Sequence, residues 1–245
     1  MRLTSFLCAP LLLAAPAMAE DVPYEVDGEA FTGYRASAED PAGLVLIVHD
    51  WDGLTDYERQ RADMLAEMGY DAFALDVFGD DTPTDTVDHR RAATGALYED
   101  RARMRGLLEA GVEQAMAGSD AGRMIVMGYC FGGAATLEMA RSGGPEAVAG
   151  YASFHGGLST PEDQGWSGDE PPLLILHGGA DTSITLEDVA TFGTELEEAG
   201  TTYRIEIYSG APHAFTVFDG DRYDERADAE SWSAFTGFLE DQLSD

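Results

Sequence analysis

Short apolar runs alternate with helical segments along most of this chain, and that alternation restricts the possible folds more than any other feature. The runs are continuous, as in strands covered on both faces, and occupy residues 44–48, 72–75, 124–127, 148–154 and 173–176. Helical periodicity follows them at residues 55–68, 90–116, 134–141, 186–199 and 224–239. The alternation predicts an α/β fold with a mostly parallel central sheet and helices on both faces.

The remaining segments complete this layout. A hairpin is predicted at residues 22–35, with its turn at Asp27-Gly28, and a last strand at residues 203–208. Polar segments at residues 80–88 and 156–172 are predicted to be loops. A length of 245 residues suits one domain. We expect this domain to be a monomer.

The first residues have the pattern of a secretory signal peptide. Arg2 precedes an apolar run at residues 3–15, and Ala17-Met18-Ala19 is a small-x-small cleavage site. The pattern predicts a leader at residues 1–19, a domain at residues 20–245, and a secreted or periplasmic location. A buried N-terminal helix, a membrane anchor or lipidation at Cys8 are the alternatives. Cleavage would leave a protein without membrane attachment and with Cys130 as its single thiol.

The charge of the chain excludes several classes of function. The formal net charge is −32, and all 14 basic residues are arginine. Nucleic acid and anionic membranes would repel such a protein, so neither is expected as a partner. The absence of lysine excludes a P-loop lysine and a Schiff-base lysine. A dense acidic surface suits a salty environment, although an acidic protein from an ordinary host fits equally well.

A candidate nucleophile lies between a predicted strand and a predicted helix, at Gly128-Tyr129-Cys130-Phe131-Gly132. A nucleophile elbow has this context, and its flanking glycines allow a turn too sharp for a Cβ atom. The N-terminus of the following helix is expected to favour a thiolate at Cys130. The alternative is a buried structural cysteine in a glycine-rich turn.

Asp181 and His213 complete a candidate triad. Asp181 follows the fifth apolar run, and His213 follows the last strand. The order nucleophile, acid, histidine is that of α/β-hydrolases, and each residue lies beyond the carboxyl end of a strand. As alternatives, Asp181 would be a helix cap and His213 an ordinary loop histidine.

The other histidines give no sign of a metal site. His49, His155 and His177 each end a predicted strand, and His89 begins a helix; none has metal-ligand spacing. His49 is a candidate brace for the neighbouring loop, and the other two strand-end histidines are interpreted as structural. Neither a metal nor another cofactor is expected.

Four segments together resemble the dienelactone hydrolase family, in order and over nearly the whole domain. They are His49-Asp-Trp-Asp-Gly-Leu54, Gly69-Tyr-Asp-Ala-Phe-Ala-Leu-Asp76, Gly128-Tyr-Cys-Phe-Gly-Gly133 and Gly210-Ala-Pro-His-Ala-Phe215. The resemblance implies an α/β-hydrolase fold, a Cys130–His213–Asp181 triad, and an oxyanion hole made by the backbone amides of Trp51 and Phe131.

The resemblance also has implications for the residues around the thiol. In the family an acidic residue, usually glutamate, contacts the thiol and helps to activate it; the shorter Asp50 stands there. Two family arginines hold a substrate carboxylate. Arg90 and Arg91 are candidates for one of them, but the position of the other is Val217. Phe215, Val217 and Phe218 are therefore expected to form an apolar wall that favours neutral esters.

These features predict a small-molecule ester or lactone hydrolase that acts through a thioester acyl-enzyme. A binding or trapping protein that has lost turnover, and a thiol acyltransferase or peptidase with the same triad, are the alternatives.

Overall fold

The computed structural model describes residues 18–244, which form one eight-stranded sheet flanked by six helices. The strands are β1 (Met18–Val26), β2 (Glu29–Ser37), β3 (Leu44–Val48), β4 (Asp71–Leu75), β5 (Met124–Tyr129), β6 (Val148–Phe154), β7 (Leu173–Gly178) and β8 (Tyr203–Tyr208). The helices are α1 (Asp56–Glu67), α2 (Val87–Glu99), α3 (Arg101–Ala117), α4 (Phe131–Arg141), α5 (Leu186–Ala199) and α6 (Glu225–Leu243).

The order of the strands across the sheet is β1-β2-β4-β3-β5-β6-β7-β8. Six neighbouring strands pair in parallel, in the order β4, β3, β5, β6, β7 and β8. At the other edge, β1 and β2 form an antiparallel hairpin, and β2 pairs antiparallel with β4. Asp27 and Gly28 close the hairpin with φ of 52° and 84°, as a two-residue turn requires. The predicted mostly parallel α/β-hydrolase sheet is confirmed.

The continuous apolar runs are explained by helices on both faces. Alternate residues of each strand enter two separate cores: Leu44, Leu46 and Val48 pack on one side, Val45 and Ile47 on the other. The first core is completed by α2, α3, α4 and α5, and the second by α1 and α6. No side of a central strand meets water, so none carries the polar alternation of a half-exposed sheet.

Two predicted boundaries were wrong. The segment predicted as one helix at residues 90–116 is two helices, α2 and α3, separated at Asp100. There the backbone leaves the helical region (φ −116°, ψ 77°), and the Asp100 carboxylate caps α3 by accepting the N–H of Arg103 at 2.9 Å. The predicted loop at residues 80–88 is shorter, since α2 begins at Val87, capped by Thr86.

The predicted leader at residues 1–19 lies outside the described residues except for Met18 and Ala19, which begin β1. Within residues 18–244, no helix combines the length and the apolar composition needed to cross a bilayer.

Candidate active site

Cys130 occupies a strained turn between β5 and α4. Its backbone has φ 50° and ψ −109°, a region that residues with a Cβ rarely adopt. A Cβ atom on Gly128 would lie 2.2 Å from the backbone of Gly132, and one on Gly132 would lie 2.1 Å from the Val48 carbonyl oxygen. The two glycines are therefore what allows α4 to start this close to β5 and β3.

The structure brings the three predicted triad residues together. His213 Nε2 lies 3.1 Å from Cys130 Sγ, and His213 Nδ1 lies 2.7 Å from Asp181 Oδ2. The other carboxylate oxygen of Asp181 accepts the N–H groups of Ser183 at 2.8 Å and Ile184 at 3.0 Å. Burial alone would raise the pKa of Asp181, but the hydrogen bonds from His213 and from these amides outweigh it and lower the pKa.

The sulfur is a neutral thiol at rest. Burial, followed by the charge of Asp50, raises the pKa of Cys130 to about 12, and the nearby N–H of Phe131 offsets this only in part. The N–H of Phe131 at the helix N-terminus does lower the pKa of Cys130, as expected, but loss of hydration raises it by more. A base must remove the proton as the sulfur attacks, and His213 Nε2 is in place for this.

Asp50 lies beside the site but does not contact the sulfur. Among the described residues, no hydrogen bond joins it to Cys130; its Oδ1 accepts the N–H of Asp52 at 3.1 Å instead. Burial, followed by the hydrogen bond and the repulsion that involve the Asp52 carboxyl, raises the pKa of Asp50 to about 9, and the bond from the Asp52 N–H offsets this only in part. This shift favours the protonated acid at neutral pH, and Asp50 is close enough to Cys130 for its charge to raise the pKa of the thiol once it ionises.

Two backbone amides are available to a developing oxyanion. Phe131 is the first residue of α4, so its N–H belongs to the set that has no partner within the helix. Trp51 lies in the turn from Asp50 to Gly53, and within residues 18–244 its N–H has no hydrogen-bond acceptor. Both residues line the cleft that contains the thiol.

The cleft has a volume of about 650 Å³ and a mainly apolar lining. Its lining residues are Asp50, Trp51, Asp52, Arg90, Thr94, Tyr98, Cys130, Phe131, Gly157, Ser183, Ile184, His213, Ala214, Val217, Gly220, Asp221 and Arg222. Arg90 is held by Asp52 at 3.6 Å and by the Thr84 carbonyl at 2.7 Å. Arg222 has no ion pair or hydrogen bond among the described residues.

Three of the predicted substrate-binding side chains lie elsewhere. Arg91 points to solvent from the outer side of α2 and pairs with Asp88 at 3.8 Å. Phe215 is fully buried against His155 and Tyr208, and Phe218 packs on Tyr57 and Tyr223. The predicted apolar wall is thus reduced to Val217, because the turn after His213 directs its aromatic side chains away from the cleft.

The strand-end histidines each hold a different loop of the site. His49 bonds the Asp50 carbonyl at 2.6 Å, and His177 bonds the Ile184 carbonyl at 3.1 Å. His155 bonds Thr216 at 2.8 Å, and its ring lies against that of His213, with centroids 5.2 Å apart. The sequence indicated these positions, at the carboxyl ends of three strands, but not the loop that each would bind.

The loop that carries His213 has a second anchor that sequence reasoning missed. Tyr57 of α1 donates to the Thr216 hydroxyl at 2.7 Å, and the buried Arg61 donates to the Thr216 carbonyl at 2.9 Å and pairs with Asp228. The sequence signal for this anchor was the spacing of Tyr57 and Arg61, which lie four residues apart and therefore on one face of α1. Among residues 18–244, no three His, Cys, Asp or Glu side chains form a metal-ligand group.

Comparison with known proteins agrees with this geometry. The family model "Dienelactone hydrolase family" matches residues 31–243. A relative from Salmonella typhimurium, provisionally named a carboxymethylenebutenolidase, is 27% identical over 231 residues, which cover 90% of this chain and 83% of the relative. A protein of the same provisional name from Escherichia coli K12 is 28% identical over 84% of this chain and 80% of its own.

A solved structure shows the same fold at similar identity. It is a dienelactone hydrolase-like promiscuous phosphotriesterase from metagenomic libraries, 26% identical, with a TM-score of 0.83 over 93% of this chain and 99% of its own. The family match extends from β2 to the end of α6 and includes every element that contributes to the cleft. The chain therefore belongs to the dienelactone hydrolase family of α/β-hydrolases.

Proposed function

We propose that this protein hydrolyses carboxylic esters or lactones with Cys130 as the nucleophile. The observation that carries the proposal is the hydrogen-bonded series from Asp181 through His213 to the Cys130 sulfur, at distances of 2.7 and 3.1 Å. It lies beside the backbone amides of Trp51 and Phe131 in an apolar cleft, which is what acyl transfer requires.

The first half of the reaction forms a thioester. Asp181, with its lowered pKa, holds the His213 proton on Nδ1 and leaves Nε2 free to accept the thiol proton. As that proton leaves, the sulfur attacks the substrate carbonyl carbon, and the N–H groups of Trp51 and Phe131 stabilise the oxyanion. The tetrahedral intermediate collapses, and His213 returns the proton to the departing alkoxide.

The second half releases the acid. A water molecule gives one proton to His213 Nε2 and attacks the thioester carbonyl carbon, and the same two amides stabilise the second oxyanion. The bond between carbon and sulfur then breaks, and His213 reprotonates Cys130. The chain needs no external cofactor for these steps.

The cleft favours neutral substrates. Val217 stands where the family resemblance calls for an arginine, and Arg90 is already engaged by Asp52 and Thr84. The two guanidinium groups of the cleft, on Arg90 and Arg222, are matched by the carboxylates of Asp52 and Asp221, and the chain has a net charge of −32. We therefore propose neutral esters or lactones of short acyl chains, rather than a lactone that carries a carboxylate.

Export and a monomeric state remain proposals that rest on the sequence alone. The small-x-small site at Ala17-Met18-Ala19 supports cleavage after Ala19. Expression of the full chain, followed by fractionation and N-terminal sequencing, tests cleavage, and light scattering tests the monomer. Recovery of an intact N-terminus from the cytoplasm would contradict export.

The test of the chemistry combines two variants with direct detection of the intermediate. Cys130→Ala is expected to lose roughly 10⁴-fold or more in hydrolysis of p-nitrophenyl acetate while retaining its melting temperature. Wild type quenched in acid during turnover should carry an acetyl group on Cys130, detected by mass spectrometry, whereas His213→Gln should carry none, because attack by the thiol needs the base. Activity of Cys130→Ala within tenfold of wild type would refute the mechanism.

Burst kinetics separate the proposal from its alternatives. A hydrolase turns over many equivalents, whereas a trapping protein releases one equivalent of p-nitrophenol and stops. Added amine or peptide acceptors would increase product release from an acyltransferase, and peptide substrates would be cleaved by a peptidase.

A further inference from the structure

His49 is buried at the end of β3 and is not part of the triad. Its Nδ1 lies 2.6 Å from the Asp50 carbonyl oxygen, and its Nε2 accepts the N–H of Val77 at 3.2 Å. A backbone N–H can only donate, so Nε2 carries no proton and the proton of the neutral ring is on Nδ1. Asp76 Oδ1, 3.7 Å from Nε2, is beyond hydrogen-bond distance and accepts the N–H of Phe78 instead.

The ring itself has little freedom. Its edge packs on Phe78 at a centroid distance of 4.5 Å, and it also contacts Phe131, with centroids 6.2 Å apart. The side chain is fully buried. The donor at Nδ1 is therefore held in a fixed direction by packing and by the bond from Val77.

The bond from His49 acts on the same peptide unit that contains the Trp51 amide. In a planar trans peptide, the C=O of one residue and the N–H of the next point in opposite directions. A donor that holds the Asp50 carbonyl toward the core therefore turns the Trp51 N–H away from the core, toward the cleft that Trp51 lines. That N–H has no acceptor within residues 18–244.

We propose that His49 is a positioning residue for the oxyanion hole: it directs the Trp51 N–H at the carbonyl oxygen of the substrate through its bond to Asp50. The inference rests on the proposed function of this site. Within residues 18–244, the only other donor to the Asp50 carbonyl is the N–H of Gly53 at 3.4 Å, the longer bond of an adjacent turn. Without His49, that long bond alone would orient the peptide.

Two amide substitutions separate the two bonds of the ring. In asparagine the terminal nitrogen is as many bonds from Cβ as Nδ1, so His49→Asn keeps the donor to Asp50 and loses the acceptor for Val77. In glutamine the terminal atoms correspond to Nε2, so His49→Gln keeps the acceptor for Val77 and loses the donor to Asp50. A purely structural role predicts that activity follows stability in both variants.

If His49 positions the oxyanion hole, the variant that loses more stability should keep its activity, and the other should lose activity. His49→Asn should have the lower melting temperature, yet keep kcat for p-nitrophenyl acetate within about fivefold of wild type. His49→Gln should lose roughly 10- to 100-fold in kcat, with KM changed by less than about threefold, since a misdirected oxyanion donor acts on the transition state. His49→Gln should weaken inhibition by phenyl trifluoromethyl ketone by a similar factor. In that adduct the sulfur bonds the carbonyl carbon, His213 takes the thiol proton, and the oxygen becomes an anion.

His89→Gln is the matched control. The exposed His89 also forms a hydrogen bond through Nδ1, to Asp85 at 2.6 Å, and does not line the cleft. This variant should have the activity and melting temperature of wild type. The inference is refuted if kcat follows the melting temperature, or if His49→Gln keeps its kcat. Should His49→Gln not fold, a loss of more than tenfold in folded His49→Asn refutes it. Cys130→Ala, assayed in parallel, distinguishes the failures: full activity there refutes the proposed function and this inference together.

Discussion

Replacing Asp50 by asparagine should make the protein more stable at neutral pH and less active. Asp50 is only 7% exposed, and burial, followed by the hydrogen bond and the repulsion that involve the Asp52 carboxyl, raises its pKa from 3.8 to about 9. In the unfolded chain the same group is ionised at pH 7, so folding requires it to take up a proton. Asparagine is neutral at every pH and keeps an oxygen that can accept the Asp52 N–H.

The size of the stability gain follows from the difference between the pKa of Asp50 in the unfolded chain, 3.8, and in the folded protein, about 9. Because the pKa of folded Asp50 is raised, its contribution to stability is complete below about pH 4 and is lost as the pH rises toward 9. Each pH unit in that window removes about 1.4 kcal/mol, which gives an upper bound of about 4 kcal/mol at pH 7. We expect a measured gain of about 1–4 kcal/mol for Asp50→Asn at pH 7.

The assay is urea unfolding of wild type and Asp50→Asn from pH 4.5 to pH 8.5 at constant salt. The stability difference should grow with pH. Turnover of p-nitrophenyl acetate should fall by up to about tenfold, because the family resemblance gives this position a part in activating the thiol and an amide cannot exchange a proton as a carboxyl can; the loss is smaller than the roughly 10²–10⁴ of a fully placed acid or base. The exposed Asp56 provides a control, since Asp56→Asn removes a charge at the start of α1 without relieving a buried one. A variant that is less stable than wild type, by an amount independent of pH, would show that folded Asp50 is an ordinary ionised loop carboxylate.

Three further predictions follow from charge, the cleft and the elbow. The melting temperature should rise from low to molar sodium chloride, because salt screens a net charge of −32; a flat or falling curve would contradict this. The specificity constant should be higher for a neutral short-chain ester than for a carboxylate-bearing lactone. A preference for the charged lactone would contradict this, and loss of that preference in Arg222→Gln would show that Arg222 binds the carboxylate. Gly132→Ala should yield no active enzyme, since its Cβ would lie 2.1 Å from the Val48 carbonyl oxygen, and wild-type kinetics in a folded Gly132→Ala would refute the steric argument.

Much of the architecture was readable from local patterns. Strand faces repeat every second residue and helices every 3.6, so apolar runs and their alternation identified all eight strands and the mostly parallel sheet. The elbow at Cys130 was partly local, because a Cβ atom on Gly128 would meet the backbone of Gly132 within the same turn. The need for glycine at Gly132 comes from the Val48 carbonyl of β3, which only the fold places there. The chain order of the candidate triad then predicted that Cys130, Asp181 and His213 would meet at one edge, as their distances show.

Contacts across the sheet depended on the tertiary structure. Phe215 became a core residue because it packs on His155 and Tyr208, and Asp50 acquired a raised pKa because the fold buries it. Arg91 lies outside the cleft because successive residues of a helix are about 100° apart around its axis, and Arg90 is the one that faces the cleft.

The strand-end histidines illustrate the same division. The sequence by itself determined that His49, His155 and His177 end parallel strands at one edge of the sheet. Only the fold decided that they bond Asp50, Thr216 and Ile184, and that His49 holds the peptide which presents the Trp51 amide. The physical reason is that a residue type sets which hydrogen bonds a ring can make, while the order of strands across the sheet sets which loop comes within 3 Å of it.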